Sequence, residues 1–184
     1  MRLYLGLVHF PVYNKNGDTI ASAVTTLDIH DISRVARTYG SRGFFVVTPL
    51  EDQKRLVEKI KGHWTGGYGA CYNPHRKEAL ELVQVVDSLE QVRDEIRKRE
   101  DEAPIFIATD ASKESGRIIG YDKAREILKQ DRPVYLYFGT AWGLHKSILE
   151  EADYVLEPIY GPTKYNHLSV RAAASIIVDR LVAK

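Results

Sequence analysis

Four short apolar runs, separated by segments of helical periodicity, constrain this chain more than any other feature. Residues 2–10 (RLYLGLVHF), 43–47 (GFFVV), 104–108 (PIFIA) and 133–138 (PVYLYF) are almost continuous in apolar side chains. A strand with one wet face alternates polar and apolar residues, whereas a strand covered on both faces does not. Such runs therefore predict central strands of a parallel sheet flanked by helices. Shorter strands are expected at 83–86 and 154–156.

The intervening segments fit that α/β reading. Residues 26–39 carry Leu27, Ile32, Val35, Ala36 and Tyr39 on one side, with Thr26 or Asp28 as cap and Gly40 as stop. Residues 50–62 place Leu56, Val57 and Ile60 inward, and 88–99 begin at a Ser88 cap with Leu89, Val92 and Ile96 on one face. Residues 121–130 form another helix. A closing helix has two adjoining apolar rows, Leu168, Ala172, Ile176 and Ala173, Ile177, Leu181. Alternating strands and helices over 184 residues read as one domain, residues 1–184.

Composition removes several function classes. No apolar run approaches the roughly 18 residues needed to span a membrane, and the start lacks the long apolar region of a signal peptide, so a cytoplasmic protein is expected. The single cysteine, Cys71, rules out an intrachain disulfide, and the six histidines show no metal-ligand spacing, so no metal is expected. A net charge of +1 argues against indiscriminate binding to polyanions. Residues 1–80 nevertheless carry 11 Lys/Arg against 7 Asp/Glu, which puts the positive bias in the N-terminal part.

The chemistry is expected at the exits of the last strands. In a parallel sheet the loops after 134–138 and 154–156 open on the carboxyl edge, where open α/β folds bind ligands. Gly139 and Gly143 let backbone turn tightly and approach a flat ligand. Their spacing is neither a dinucleotide fingerprint nor a Walker loop. The strand at 104–108 exits through Thr109 and Asp110 beside these loops, and residues 112–120, with Gly116 and Gly120, read as mobile.

A second unusual segment is HWTGGYGACYNPHRKEA, residues 63–79, which crowds glycines, aromatics, histidines and Arg76 together. One reading is a substrate lid whose aromatic faces stack on unpaired bases while Arg and His hold phosphate. The other is a structured loop whose aromatics pack on the domain. Asn73-Pro74 is expected to start the next helix.

Three motifs resemble those of the SPOUT, or trefoil-knot, RNA methyltransferases. Phe138-Gly139-Thr140-Ala141-Trp142-Gly143-Leu144 resembles the family's second motif, without its acidic residue. Glu157-Pro158-Ile159-Tyr160-Gly161, followed by Asn166 to Ala172, resembles the third, with His167 where the ribose-methylating branch has asparagine. Asp31 to Thr38 and Gly40 resemble the first, with Asp31 in place of an asparagine. The arrangement is similar to a group of small bacterial SPOUT proteins sometimes joined to a tRNA guanine methyltransferase.

The resemblance implies a parallel sheet ending in a deep C-terminal trefoil knot, and an S-adenosylmethionine-dependent methyltransferase acting on tRNA or rRNA. The cofactor would lie against Thr109, Asp110, Phe138, Gly139, Thr140, Gly143, Leu144, Leu156, Ile159, Tyr160, Gly161 and Leu168. Arg37 falls on the motif arginine, which the resemblance makes catalytic by activating or positioning the RNA nucleophile, and His63 or His167 would accept a proton. Arg34, Tyr72, Asn73 and Arg76 would face the RNA, and the closing helix would join two copies into a homodimer. The departures leave a second reading open: an RNA-binding or cofactor-sensing module that keeps the fold without the reaction.

Overall fold

The computed structural model describes residues 1–111 and 116–183, and the long apolar runs become strands. β1 (Arg2–Val8) leads into a small hairpin of β2 (Val12–Tyr13) and β3 (Thr19–Ile20), which turns at Asn16-Gly17-Asp18. α1 (Thr26–Thr38) is capped by Thr25, one residue earlier than expected. Thr25 Oγ1 accepts from the Asp28 N–H at 3.1 Å and donates to Asp28 Oδ2 at 2.6 Å, so cap and first-turn carboxylate satisfy each other.

β4 (Gly43–Val47) is followed by α2 (Glu51–Thr65), α3 (Tyr68–Tyr72), α4 (Pro74–Leu80) and β5 (Val83–Val86). α5 (Leu89–Glu100) starts at the Ser88 cap that the sequence predicts, and β6 (Ile105–Thr109) follows. The rest comprises β7 (Ile118–Ile119), α6 (Tyr121–Lys129), β8 (Pro133–Gly139), α7 (Lys146–Glu150), β9 (Tyr154–Leu156) and α8 (Val170–Val182).

Among the described residues, seven strands form one parallel sheet in the order β5-β4-β1-β8-β6-β9-β7. Side chains alternate across a strand, so β1 sends Leu3, Leu5 and Leu7 to one layer and Tyr4 and Val8 to the other. The first layer packs on Ile29, Ile32 and Ala36 of α1 and on Ala174, Ile177 and Val178 of α8. The second packs Phe45, Tyr135 and Tyr137 against Val92 and Ile96 of α5 and Ile148 of α7. Both faces are buried, which is why neither β1 nor β8 alternates in sequence.

Two expectations change. Residues 63–79 are largely helical rather than an irregular loop, and their glycines serve close packing instead of mobility. A Cβ on Gly69 would lie 2.7 Å from Trp64 Cε3, and one on Gly67 would lie 2.8 Å from His63 O, so α3 folds tightly back on the end of α2. The mobile loop expected over 112–120 falls in part on 112–115, outside the described residues. Ile118 and Ile119 form an edge strand paired with Val155 and Leu156. No helix among the described residues is long and apolar enough to cross a membrane.

Candidate active site

The parallel sheet brings the exits of β1, β6, β8 and β9 to one edge. They surround a cleft of about 1340 Å³, larger than the roughly 300–1,000 Å³ typical of a single small-molecule site. It has room for a cofactor and part of a second molecule.

The loop after β8 is held from outside. Trp142 N donates to Tyr13 O and Tyr13 N to Gly143 O, both at 3.0 Å, so the hairpin of β2 and β3 clamps it. Gly143 takes φ +106°, in the region that side chains avoid, and a Cβ there would sit 3.5 Å from Asp110 Oδ1. Gly139 is tighter still, since a Cβ would come within 2.8 Å of Leu144 Cγ and 2.9 Å of Leu144 N. The loop after β9 closes toward the loop after β6 through Asn166 Nδ2, which donates to Ala111 O at 2.9 Å.

The structure brings most of the sequence-predicted cofactor residues together. Thr109, Asp110, Phe138, Gly139, Thr140 and Gly143 line the cleft, with Leu144, Ile159, His167 and Leu168. Leu156 lies buried in the core, while Tyr160 and Gly161 are exposed outside the lining. His167 meets the Tyr165 ring edge to face at 5.4 Å.

The remaining predicted residues lie on a different face, formed by α1 to α4. Trp64 is its centre: His30 and His63 meet the ring at 5.5 and 5.0 Å, and the Arg76 guanidinium lies over it at 4.4 Å. Burial and the neighbouring Arg76 push the His30 ring below its usual pKa. Tyr72 stacks on Tyr68 with both rings exposed. Asn73 caps α4, its Oδ1 accepting from the Arg76 N–H at 3.0 Å. Arg37 donates from Nε and Nη2 to Glu78 Oε2, which holds the Glu78 carboxyl low, and Arg34 is exposed.

Sequence reasoning missed Asp28 and Arg171, which meet in the cleft wall. Arg171 Nη1 donates to the buried Asp28 Oδ1 at 2.8 Å. A signal was present: Arg171 stands in the first turn of α8, where the helix dipole disfavours a cation unless an anion offsets it. Tyr165 was also missed; it is exposed, as are Trp142 and Tyr160, in the loops around the cleft.

Over residues 2–183 the sequence matches the family described as SAM-dependent RNA methyltransferase. The chain belongs to that family. A tRNA (guanine-N(1)-)-methyltransferase of Oleidesulfovibrio alaskensis is 45% identical over 98% of this chain. This chain spans only 42% of that relative's length. An uncharacterized protein of Aquifex aeolicus is 35% identical, with 99% of this chain and 89% of the relative covered. The fold is that of the SpoU methyltransferase AviRb from Streptomyces viridochromogenes, solved with AdoMet, at TM-score 0.55 and 16% identity over 98% of this chain and 57% of that one.

The residues of this SAM-dependent methyltransferase family member fit the family's cofactor. Gly139 and Gly143 keep the loop tight at the cleft wall: a Cβ on the first would strike Leu144, and the second takes a φ that side chains avoid. Phe138, Leu144 and Ile159 supply apolar surface, and Asp110 stands beside Gly143.

Proposed function

We propose that this chain transfers a methyl group from S-adenosylmethionine to a nucleotide of tRNA or rRNA. The observation that carries the reading is the tight glycine loop after β8 at the carboxyl edge, lining a cleft large enough to admit a nucleotide beside the cofactor. The cofactor, when bound, supplies an activated sulfonium methyl, so the protein's task is in-line positioning and removal of one proton.

In this reading Thr109, Asp110 and the loops 138–144 and 156–161 hold the cofactor, Leu168 borders it, and His167 accepts the proton. Trp142, Tyr160 and Tyr165 stack on unpaired bases at the cleft mouth, as exposed rings favour. The face of Arg34, Arg37, His63, Tyr72, Asn73 and Arg76 extends the RNA track. Its exposed tyrosine pair and its cations have the chemistry of a single-strand platform. A homodimer through α8 is supported by Ala172 and Ile176, which the fold leaves partly exposed on that helix. A cytoplasmic site of action follows from the RNA substrate.

Calorimetric titration with S-adenosylmethionine, with ATP and NAD as controls, tests the cofactor reading. Methyl transfer to unmodified tRNA and rRNA tests the reaction. Selective binding and transfer are expected, and a folded sample that ignores S-adenosylmethionine overturns the proposal.

A further inference from the structure

A chain of hydrogen bonds runs from the core to the cleft wall, and its direction is fixed. Thr140 Oγ1 lies 3.0 Å from Val8 O, and a carbonyl only accepts, so the Thr140 proton points into the sheet. Ser22 Oγ lies 2.5 Å from Thr140 Oγ1 and must therefore donate to it. With that proton used, Ser22 accepts from His9 Nδ1 at 2.9 Å. The 3.5 Å approach of Ser22 Oγ to His9 O is too long to compete.

His9 is thus held as the Nδ1–H tautomer. Its ring is fully buried, and Nε2 has no hydrogen-bond partner among the described residues. Burial holds the imidazole down to about 4, against the opposing pull of Asp28, so the tautomer and the direction persist at neutral pH.

The consequence appears in the cleft, which both Ser22 and Thr140 line. Ser22 spends its proton on Thr140 and Thr140 spends its own on Val8 O, so neither hydroxyl has a proton left for whatever binds, and each keeps a lone pair. The Asp28 carboxylate lies in the same wall. Its oxygens already take Thr25 and Arg171, and the Arg171 guanidinium offsets its charge, so the acceptors left to this stretch are the two hydroxyls. This stretch of wall suits a donor and rejects an acceptor.

We propose that Ser22 and Thr140, oriented by His9, form an acceptor-only subsite that receives an amino or ammonium group of the bound molecules. The inference rests on the methyltransferase reading, which offers two sources of that group. One is the amino-acid end of S-adenosylmethionine, and the other is the exocyclic amine of an RNA base.

Calorimetry with S-adenosylmethionine and with 5′-methylthioadenosine, which lacks the ammonium, separates the sources. Thr140→Val and Ser22→Ala should each weaken S-adenosylmethionine about tenfold and leave 5′-methylthioadenosine unchanged, if the donor is the cofactor's. If the donor is the RNA's, cofactor affinity holds while the KM for RNA rises about tenfold with little change in kcat. Thr140→Ser, which keeps the hydroxyl, should recover most of the affinity that Thr140→Val loses. His9→Leu should reproduce the Thr140→Val loss, and His9→Asn, which keeps an N–H near Nδ1, should restore it.

Unchanged affinity and KM in folded Thr140→Val and Ser22→Ala overturn this subsite alone. Equal weakening of both adenosine ligands also overturns it, because the amino group would then be irrelevant. Nitrogen NMR that finds His9 protonated on Nε2 breaks the chain at its start. Native protein that binds neither S-adenosylmethionine nor RNA defeats the methyltransferase reading, and the subsite with it.

Discussion

Arg171 donates across 2.8 Å to Asp28 and so ties the first turn of α8 to the first turn of α1, 143 residues apart in the chain. The same guanidinium reaches Asp31 at 3.4 Å. One side of the bond is favourable by itself, since a carboxylate at a helix N-terminus meets the positive end of the dipole. The other side is not. Arg171 is placed there by its partners.

Removing the cation should therefore strand a buried carboxylate. Arg171→Ala is expected to cost about 2 kcal/mol, between the values for exposed and fully buried pairs, because the arginine is one-third exposed. Urea unfolding of Arg171→Ala, Asp28→Asn and the double variant measures the coupling. Additive losses would show that the contact contributes nothing.

The glycines of the loops after β8 and β9 separate by what surrounds them. Gly139→Ala forces Cβ against Leu144, including its backbone N, and should lose about 1–3 kcal/mol along with cofactor affinity. Gly143→Ala strains a φ of +106° and should lose a similar amount. Gly161→Ala meets open space and should stay within about 0.5 kcal/mol of native. Thermal melts with and without S-adenosylmethionine read both effects.

His9 makes stability depend on pH. Above its unfolded pKa of about 6.5 the ring is neutral in both states and contributes no slope. As pH falls from there to about 4, the unfolded chain takes up a proton that the folded protein refuses, so stability drops. The full span is about 3 kcal/mol, and it is complete near pH 4. Denaturant midpoints at pH 7 and pH 5 should differ more for the native protein than for His9→Asn. Parallel losses would mean that His9 titrates normally.

Arg37 tests the proposed division between cofactor and RNA. Its ion pair with Glu78 is about half exposed at both ends, so Arg37→Ala should cost less than about 1 kcal/mol. Cofactor affinity should be intact and methyl transfer lost. A folded variant that loses cofactor binding instead would assign Arg37 the wrong role.

The central strands were legible because burial on both faces leaves a short, continuous apolar run, here rich in β-branched and aromatic residues and too brief for a buried helix. Ser88 and Asn73 announced their helices by side-chain chemistry that acts within three residues. Gly67 and Gly69 misled, because a glycine needed for mobility and one needed for close approach look alike until the neighbour is known. Here the neighbours are His63 and Trp64. The two-residue strand β7 carried too little sequence to be read, and it forms because β9 offers an open edge.

The same boundary runs through the site. Gly139, Gly143 and the loops after β6, β8 and β9 could be placed from sequence, because strand direction in a parallel sheet sends every exit to one edge. Local physics decides such features, and local physics is written in consecutive residues. The Arg171–Asp28 contact, the directed bonds from His9 to Thr140 and the Trp64 cluster join segments far apart in the chain. Their energies depend on distance and burial that exist only once the sheet has assembled, so tertiary structure alone decided them.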